Sequence, residues 1–186
     1  MGRKRQQTRS VRIDADIDEQ LRLLAGERAL SVNTLVAQAL ARLVEWDAYG
    51  EKFGFVDMPA VIVSRMLAFL DEAEVRELGA WVGSSLLREY VLFWFKEVTP
   101  ESVLDSYPRL ASKYGRLFEY EDHVKGGRRT LLIKHDGGQQ LSAFYEAALS
   151  SVFADLLHAP VEVEATENQV VARFAAFPPR HPPRRA

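Results

Sequence analysis

The stretch Lys134-His135-Asp136-Gly137-Gly138-Gln139-Gln140 carries a strand-like pattern through two glycines into a helix-like one. Exposed N–H groups at such a helix start, with Lys134 and His135 beside them, can bind an anionic small molecule. Lys134, His135, Asp136, Gly137 and Gly138 are therefore the candidate ligand residues, although the spacing lacks a full phosphate loop or dinucleotide fingerprint. The plainer reading is favoured: the glycines turn the chain sharply, Asp136 caps the helix, and His135 packs on Phe118. Four histidines also raise metal binding. The hairpin register derived below sets His123 opposite Thr130, five residues from His135, which is roughly 16 Å and too far for one ion. His158 ends a helix, where a cation is favourable for ordinary reasons, and His181 lies near the C-terminus, so no metal or other cofactor is expected. Ser142, Ser150 and Ser151 have no histidine and acid arranged around them by any pattern in the sequence, so no catalytic residues are assigned and no enzyme is expected.

The net charge is −2, but it is unevenly spread. Arg3, Lys4, Arg5, Arg9 and Arg12 stand among the first twelve residues and Arg180, Arg184 and Arg185 among the last ten, with no acid in either stretch. Setting those eight aside leaves 16 of the 24 basic residues against 26 acidic ones, a body charge of −10. A basic arm on an acidic body is an electrostatic footprint suited to phosphates. Cysteine is absent, so disulfides, thiolate zinc sites and cysteine nucleophiles are excluded. The charged start resembles no signal peptide, and the longest apolar run, Tyr90 to Phe95, falls far short of the ~20 residues that span a bilayer. A cytoplasmic protein without a membrane partner is expected.

The elements that must position these residues follow from periodicity. Residues 59 to 115 read as helical. Pro59 opens the first helix at a position where proline is tolerated, and Asp71-Glu72-Ala73-Glu74 restarts the chain with a capping-box pattern. Val75, Leu78, Val82, Leu86, Tyr90, Phe93 and Trp94 follow at near-helical spacing, on a helix apolar nearly all round at its end and hence buried. Thr99 is the N-cap of a third helix, with Pro100 and Glu101 in its first turn, and Pro108 is expected to kink or end it. Leu117 to Val124 and Arg129 to His135 flank Lys125-Gly126-Gly127-Arg128, a hairpin signal. With Gly126-Gly127 as the turn, Tyr120 faces Ile133 and His123 faces Thr130. A long helix over 139 to 158 turns Leu141, Phe144, Tyr145, Ala148, Val152 and Leu156 inward. A second hairpin turns at Glu167-Asn168, with Val161, Val163 and Ala165 sharing a face with Val170, Ala172 and Phe174, and Glu162 opposite Arg173.

Residues 8 to 43 follow another logic. Val11 and Ile13 alternate with Ser10 and Arg12, the period of a strand with one buried face. Ile17, Leu21, Leu24 and Ala25 then fall on one helical stripe. After a break at Glu27-Arg28-Ala29-Leu30, Ser31 caps a second helix bearing Leu35, Val36, Ala39, Leu40 and Leu43 on its apolar side. One strand and two helices cannot bury their own surface, so the unit needs a second copy to complete a two-stranded ribbon over four helices. The aromatics of Trp46 to Phe55 are expected to pack against the next unit, with Gly50 as a helix C′ residue.

In strand alternation, strand-to-helix spacing and the Ser31-Val32-Asn33-Thr34 turn, residues 8 to 45 resemble the ribbon-helix-helix superfamily of MetJ, Arc and CopG, two of which are known β-ribbon readers of DNA. The resemblance implies that Thr8, Ser10 and Arg12 enter the major groove and read base edges, Arg12 gripping guanine O6 and N7. It further implies phosphate contacts from Arg3, Lys4, Arg5 and Arg9 and from the helix start at Ser31, Val32 and Asn33. The bland alternative is an ordinary edge strand.

The expected fold class is α+β: an N-terminal ribbon-helix-helix forming an intertwined dimer, a helical middle segment, and a C-terminal ββαββ antiparallel sheet with one long helix. The expected domains are 1–49 for the ribbon unit with its basic arm, 50–58 as linker, 59–176 for oligomerisation or ligand sensing, and 177–186 as a disordered, basic, proline-rich tail. The expected function is a prokaryotic, sequence-specific transcriptional regulator, a repressor. Its partners are double-stranded DNA, a second copy of itself (with a tetramer as a further option), and a small-molecule effector, and it is placed in the cytoplasm on the nucleoid. The alternative is an antitoxin-like or other interaction module whose C-terminal domain grips a partner protein.

Overall fold

A computed structural model describes residues 7–178. The chain divides into two compact units, Met1–Glu51 and Lys52–Ala186.

In the first unit, residues 7–14 have no regular structure and all are exposed. The strand expected over 8–14 is thus not formed by the single chain, for a physical reason. A strand exists through hydrogen bonds to a neighbour, and no segment among the described residues pairs with this one. Helix α1 spans Ala15–Glu27 and α2 spans Val32–Arg42. Between them Ala29 takes a left-handed conformation (φ 52°), and Leu30 N–H closes the α1 end on the Ala25 carbonyl at 2.9 Å. Ser31 caps α2, its Oγ accepting the Thr34 N–H at 3.1 Å, as its sequence predicts. A wide π-helical turn, Leu43–Asp47, carries α2 into α3, Ala48–Phe53. The helix therefore runs through Gly50, and the left-handed residue that follows it is Gly54 (φ 68°), which corrects the C′ assignment. The buried hydrophobic side chains of this unit are Ala25, Leu35 and Trp46, while Ile17, Leu23, Leu40, Leu43 and Val44 are exposed.

The second unit is a four-stranded antiparallel sheet with helices packed on it. Helix α4 covers Ala60–Leu67, with Pro59 as its N-cap residue rather than its first helical one. Helix α5, Glu72–Trp81, starts on the complete capping box of Asp71 and Glu74 and passes through a π-helical turn, Val82–Leu86, into α6, Leu87–Phe95. Phe53 stacks on Trp94 at 5.7 Å and meets Tyr90 edge-on at 4.7 Å, so the aromatics after Gly50 are packing residues. Thr99 Oγ1 accepts the Ser102 N–H, and the next helix runs from Pro100 to Gly115 as Ser102–Ser106, α7 (Tyr107–Leu110) and Ala111–Gly115.

Pro108 therefore does not end this helix. Proline has no N–H to give the carbonyl four residues back, which is that of Leu104. Two side chains satisfy it instead: the Tyr120 hydroxyl donates to it, and Arg129 Nη2 donates at 3.1 Å.

Strands β1 (Glu119–Lys125), β2 (Arg128–Lys134), β3 (Glu162–Thr166) and β4 (Gln169–Ala175) lie in the order β1-β2-β4-β3. Both expected registers are present: Tyr120 faces Ile133, His123 faces Thr130, and Glu162 faces Arg173. The β1–β2 turn works because Gly126 and Gly127 both adopt positive φ, 59° and 76°, as a primed turn demands. Helix α8, Gly138–Ser151, crosses between the hairpins and continues through Val152–Leu157. It lies so close to α5 and the turn after it that a Cβ on Gly79 would strike the Phe144 carbonyl oxygen and one on Gly83 that of Ala148. The core gathers Val91, Val103, Leu104, Leu131, Phe153, Ala172 and Phe174, beside a second cluster of Leu67, Ile133, Leu141, Tyr145 and Val170. Phe177 packs its ring 5.8 Å from Phe174, so residue 177 belongs to the packed unit rather than to a tail; Pro178 is exposed, and residues 179–186 of the expected tail lie outside the described residues. Among the described residues no helix is long and apolar enough to cross a membrane.

Candidate functional site

The expected DNA-contacting residues divide into three sets. Arg3, Lys4 and Arg5 lie outside the described residues. Thr8, Arg9, Ser10 and Arg12 are exposed on the unpaired segment, where the alternation persists in sequence but no ladder turns it into a surface. The third set, Ser31, Val32 and Asn33, lies at the start of α2. With Ser31 Oγ engaged by the Thr34 N–H and 2.8 Å from the Thr34 hydroxyl, its side chain is committed to the cap. The N–H groups of Val32 and Asn33 lie in the first turn of α2, where helix geometry supplies no intrahelical acceptor.

The second candidate corner lines an open cleft of about 1060 Å³ between α4, the end of β2 and the β3–β4 turn, with Lys134, His135, Asp136 and Gly137 on its wall beside Arg116 and Asn168. Its cations are largely committed. Lys134 Nζ donates to Glu121 Oε1 at 2.5 Å, and this bond raises the lysine's pKa. His135 is buried, and burial lowers its pKa, partly opposed by the charge of Asp136.

The hydrogen bonds define its tautomer. Gly137 N–H donates to His135 Nδ1 at 3.2 Å, so Nε2 carries the proton and donates to Ser142 Oγ at 3.0 Å, and Ser142 passes its own proton to the Glu167 carbonyl at 3.0 Å. The N–H of Gly138 goes to Asn168 Oδ1 at 3.0 Å. Both glycine donors that could have held an anion are thus occupied.

Several details depart from the sequence reading. Asp136 makes no cap bond and Gly137 is the N-cap residue. His135 packs on Tyr145, 5.6 Å between ring centres, rather than on Phe118, which meets the same tyrosine edge-on from 5.3 Å. Most notably, Ser142 does have a histidine beside it. The signal was present: Ser142 follows Leu141 on the inward side of α8, seven residues after His135 across a tight turn. The contact is nonetheless structural. Ser142 is completely buried, its proton is taken by a carbonyl, and the facing histidine nitrogen is a donor, the reverse of what a general base requires.

His123 sits 3.2 Å from Glu121, and among the described residues no group of three or more histidine, aspartate or glutamate side chains is placed to hold a metal ion.

No family model matches the chain, no curated protein matches it, and no solved structure matches it.

Proposed function

We propose that the chain is a sequence-specific DNA-binding regulator, a repressor, in which residues 8–14 pair antiparallel with the same residues of a second copy and enter the major groove. One observation carries the reading. The segment holding the alternating Val11 and Ile13 is unpaired, these side chains are 72 % and 47 % exposed, and the two helices after it leave Leu23, Leu40, Leu43 and Val44 in water. Apolar area left exposed in this way is worth about 25 cal/mol per Å² once covered, and a twin of the unit would cover it. In the dimer Thr8, Ser10 and Arg12 face the bases, while Arg9, the basic arm and the N–H groups of Val32 and Asn33 hold phosphates. The reading implies a cytoplasmic, nucleoid-associated homodimer.

Sequence selection from random duplexes at low and physiological salt tests it. An enriched, repeated or palindromic site is expected. Arg12→Ala should cost ~1–3 kcal/mol on that site and little on random DNA, whereas Lys4→Ala should weaken all sequences and lower the salt slope by ~1. Equal losses of Arg12→Ala on selected and random DNA would remove Arg12 from base reading.

A second reading has its own observation. Val61, Met66 and Phe69, the last 79 % exposed, stand out from α4 and its end, a patch of the kind that marks protein contacts. An antitoxin-like interaction module would use it, and stoichiometric co-purification of a small partner from the native host would move this reading ahead.

A further inference from the structure

The sheet ends in two edge strands, β1 and β3, and their residues suit them to different neighbours. The Gly127 carbonyl accepts the Ala176 N–H at 2.8 Å and the His135 N–H goes to the Asn168 carbonyl at 3.1 Å, so the odd-numbered residues of β2 face β4 and the even-numbered ones face β1. Each odd-numbered residue of β1 meets an even-numbered one of β2. The N–H and C=O groups of Tyr120, Asp122 and Val124 therefore point outward along the open edge, and among the described residues no strand lies beyond them. Val124 is 65 % exposed there. An edge of this kind is a template for another strand.

We infer that β1 pairs antiparallel with β1 of a second copy of this chain, making a single sheet that spans both copies. The strand, Glu119-Tyr120-Glu121-Asp122-His123-Val124-Lys125, is self-complementary in the one register that uses its whole length. With Asp122 at the two-fold centre, Glu119 falls opposite Lys125 and Glu121 opposite His123, each pair occurring twice. These pairs occupy the non-hydrogen-bonded sites, where facing side chains stand closest and opposite charges attract. Tyr120 falls opposite Val124, and about six main-chain hydrogen bonds form. Asp122 meets its own twin, but its carboxylate is already held by Arg129 at 2.7 and 2.8 Å, so that charge is met within each copy. Strand β3 has no such match. Its Glu162 and Glu164 stand on a strand without a basic residue, so self-pairing sets Glu164 against its twin or Glu162 against Glu164, and like charges defend that edge. A single seven-residue strand makes a small contact of the weak class, populated at protein concentrations well above those of the proposed ribbon dimer. It joins the second units whether or not residues 8–14 pair, so the inference does not rest on the DNA-binding reading.

Disulfide trapping of the full-length protein tests the register, because the chain has no cysteine and an introduced thiol is the only one present. Glu121→Cys and His123→Cys proteins, mixed in equal amounts at high concentration under a mild copper–phenanthroline oxidant, place their thiols directly opposite. Facing Cα atoms stand ~4.5 Å apart at such a site, within the ~4.4–6.8 Å that a disulfide spans, while two like thiols lie on the diagonal, roughly 7–8 Å apart. Mass spectrometry should find the disulfide between unlike variants several-fold over the two like ones together. Glu119→Lys or Lys125→Glu, added to both cysteine proteins, sets like charges opposite at both ends of the pair and should cut trapping roughly fivefold or more. Carrying both reversals restores the match and should bring trapping back to within about twofold of the starting level. Thermal unfolding measured alongside shows that each variant is folded, and should a reversal unfold, the ratio of unlike to like disulfides still decides. No trapping, a statistical mixture of disulfides, an excess of like pairs, or trapping indifferent to the single reversals would each overturn the inference.

Discussion

Strand β4 and residues 8–14 carry the same message in sequence, apolar and polar side chains in alternation, and meet opposite fates. In β4, Val170, Ala172 and Phe174 are buried between two neighbouring strands. In the N-terminal segment Val11 and Ile13 stand in solvent and no ladder forms. The difference lies in where the partner comes from. The turns at Gly126-Gly127 and Glu167-Asn168 return the chain beside itself, so each hairpin supplies its own second strand, whereas residues 8–14 run directly into α1. Alternation specifies a face to be buried, and only a second strand turns it into structure.

The largest effect expected from this contrast is in the self-sufficient unit. Gly83→Ala drives a Cβ into the Ala148 carbonyl oxygen, and backbone cannot step aside as a flexible side chain can. A loss of about 3 kcal/mol or more is expected, read as a lowered midpoint in urea at any protein concentration. Ile13→Asp attacks the other unit. It should cost ~2–3 kcal/mol per chain of the proposed dimer, abolish the dimer in sedimentation, and leave the unfolding midpoint of the second unit unchanged. A dimer that survives the aspartate would break the comparison.

Tyr120→Phe probes the route past Pro108. With the hydroxyl gone, the Leu104 carbonyl keeps only Arg129, and ~1 kcal/mol should be lost by thermal unfolding. The smallest effect concerns pH. Because burial lowers the pKa of His135 below its ordinary 6.5, the unfolded chain takes up the proton first, so its contribution is complete above that value and declines as pH falls through it. His135→Gln should flatten the stability profile between neutral pH and mild acid relative to the parent protein; a superimposable slope would contradict the neutral, Ser142-bound imidazole.

Local chemistry was readable from sequence wherever it completes within a few residues. The Asp71–Glu74 box, the Thr99 and Ser31 caps and both hairpin registers depend on near neighbours, and all are present. What stayed hidden depends on distant groups. Sequence alone has Pro108 kink or end its helix because the donors that satisfy the Leu104 carbonyl come from Tyr120 and Arg129, 16 and 25 residues on. Asp136 was expected to cap α8, yet Asn168 reaches the helix start from the β3–β4 turn, 30 residues away. The Ser142–His135 bond needs the packed corner for the same reason. For residues 8–14, no pairing strand stands among the described residues, and the proposed ribbon would take it from a second copy.

Amide hydrogen exchange of residues 8–14 across a protein concentration series, paired with sedimentation on the same samples, addresses the central claim most directly. The account predicts that alternate amides in this segment become protected at the concentrations where the dimer appears, and that protection falls away on dilution. A dimer in which these amides exchange as freely as an unstructured chain, or a monomer at every concentration, would contradict it.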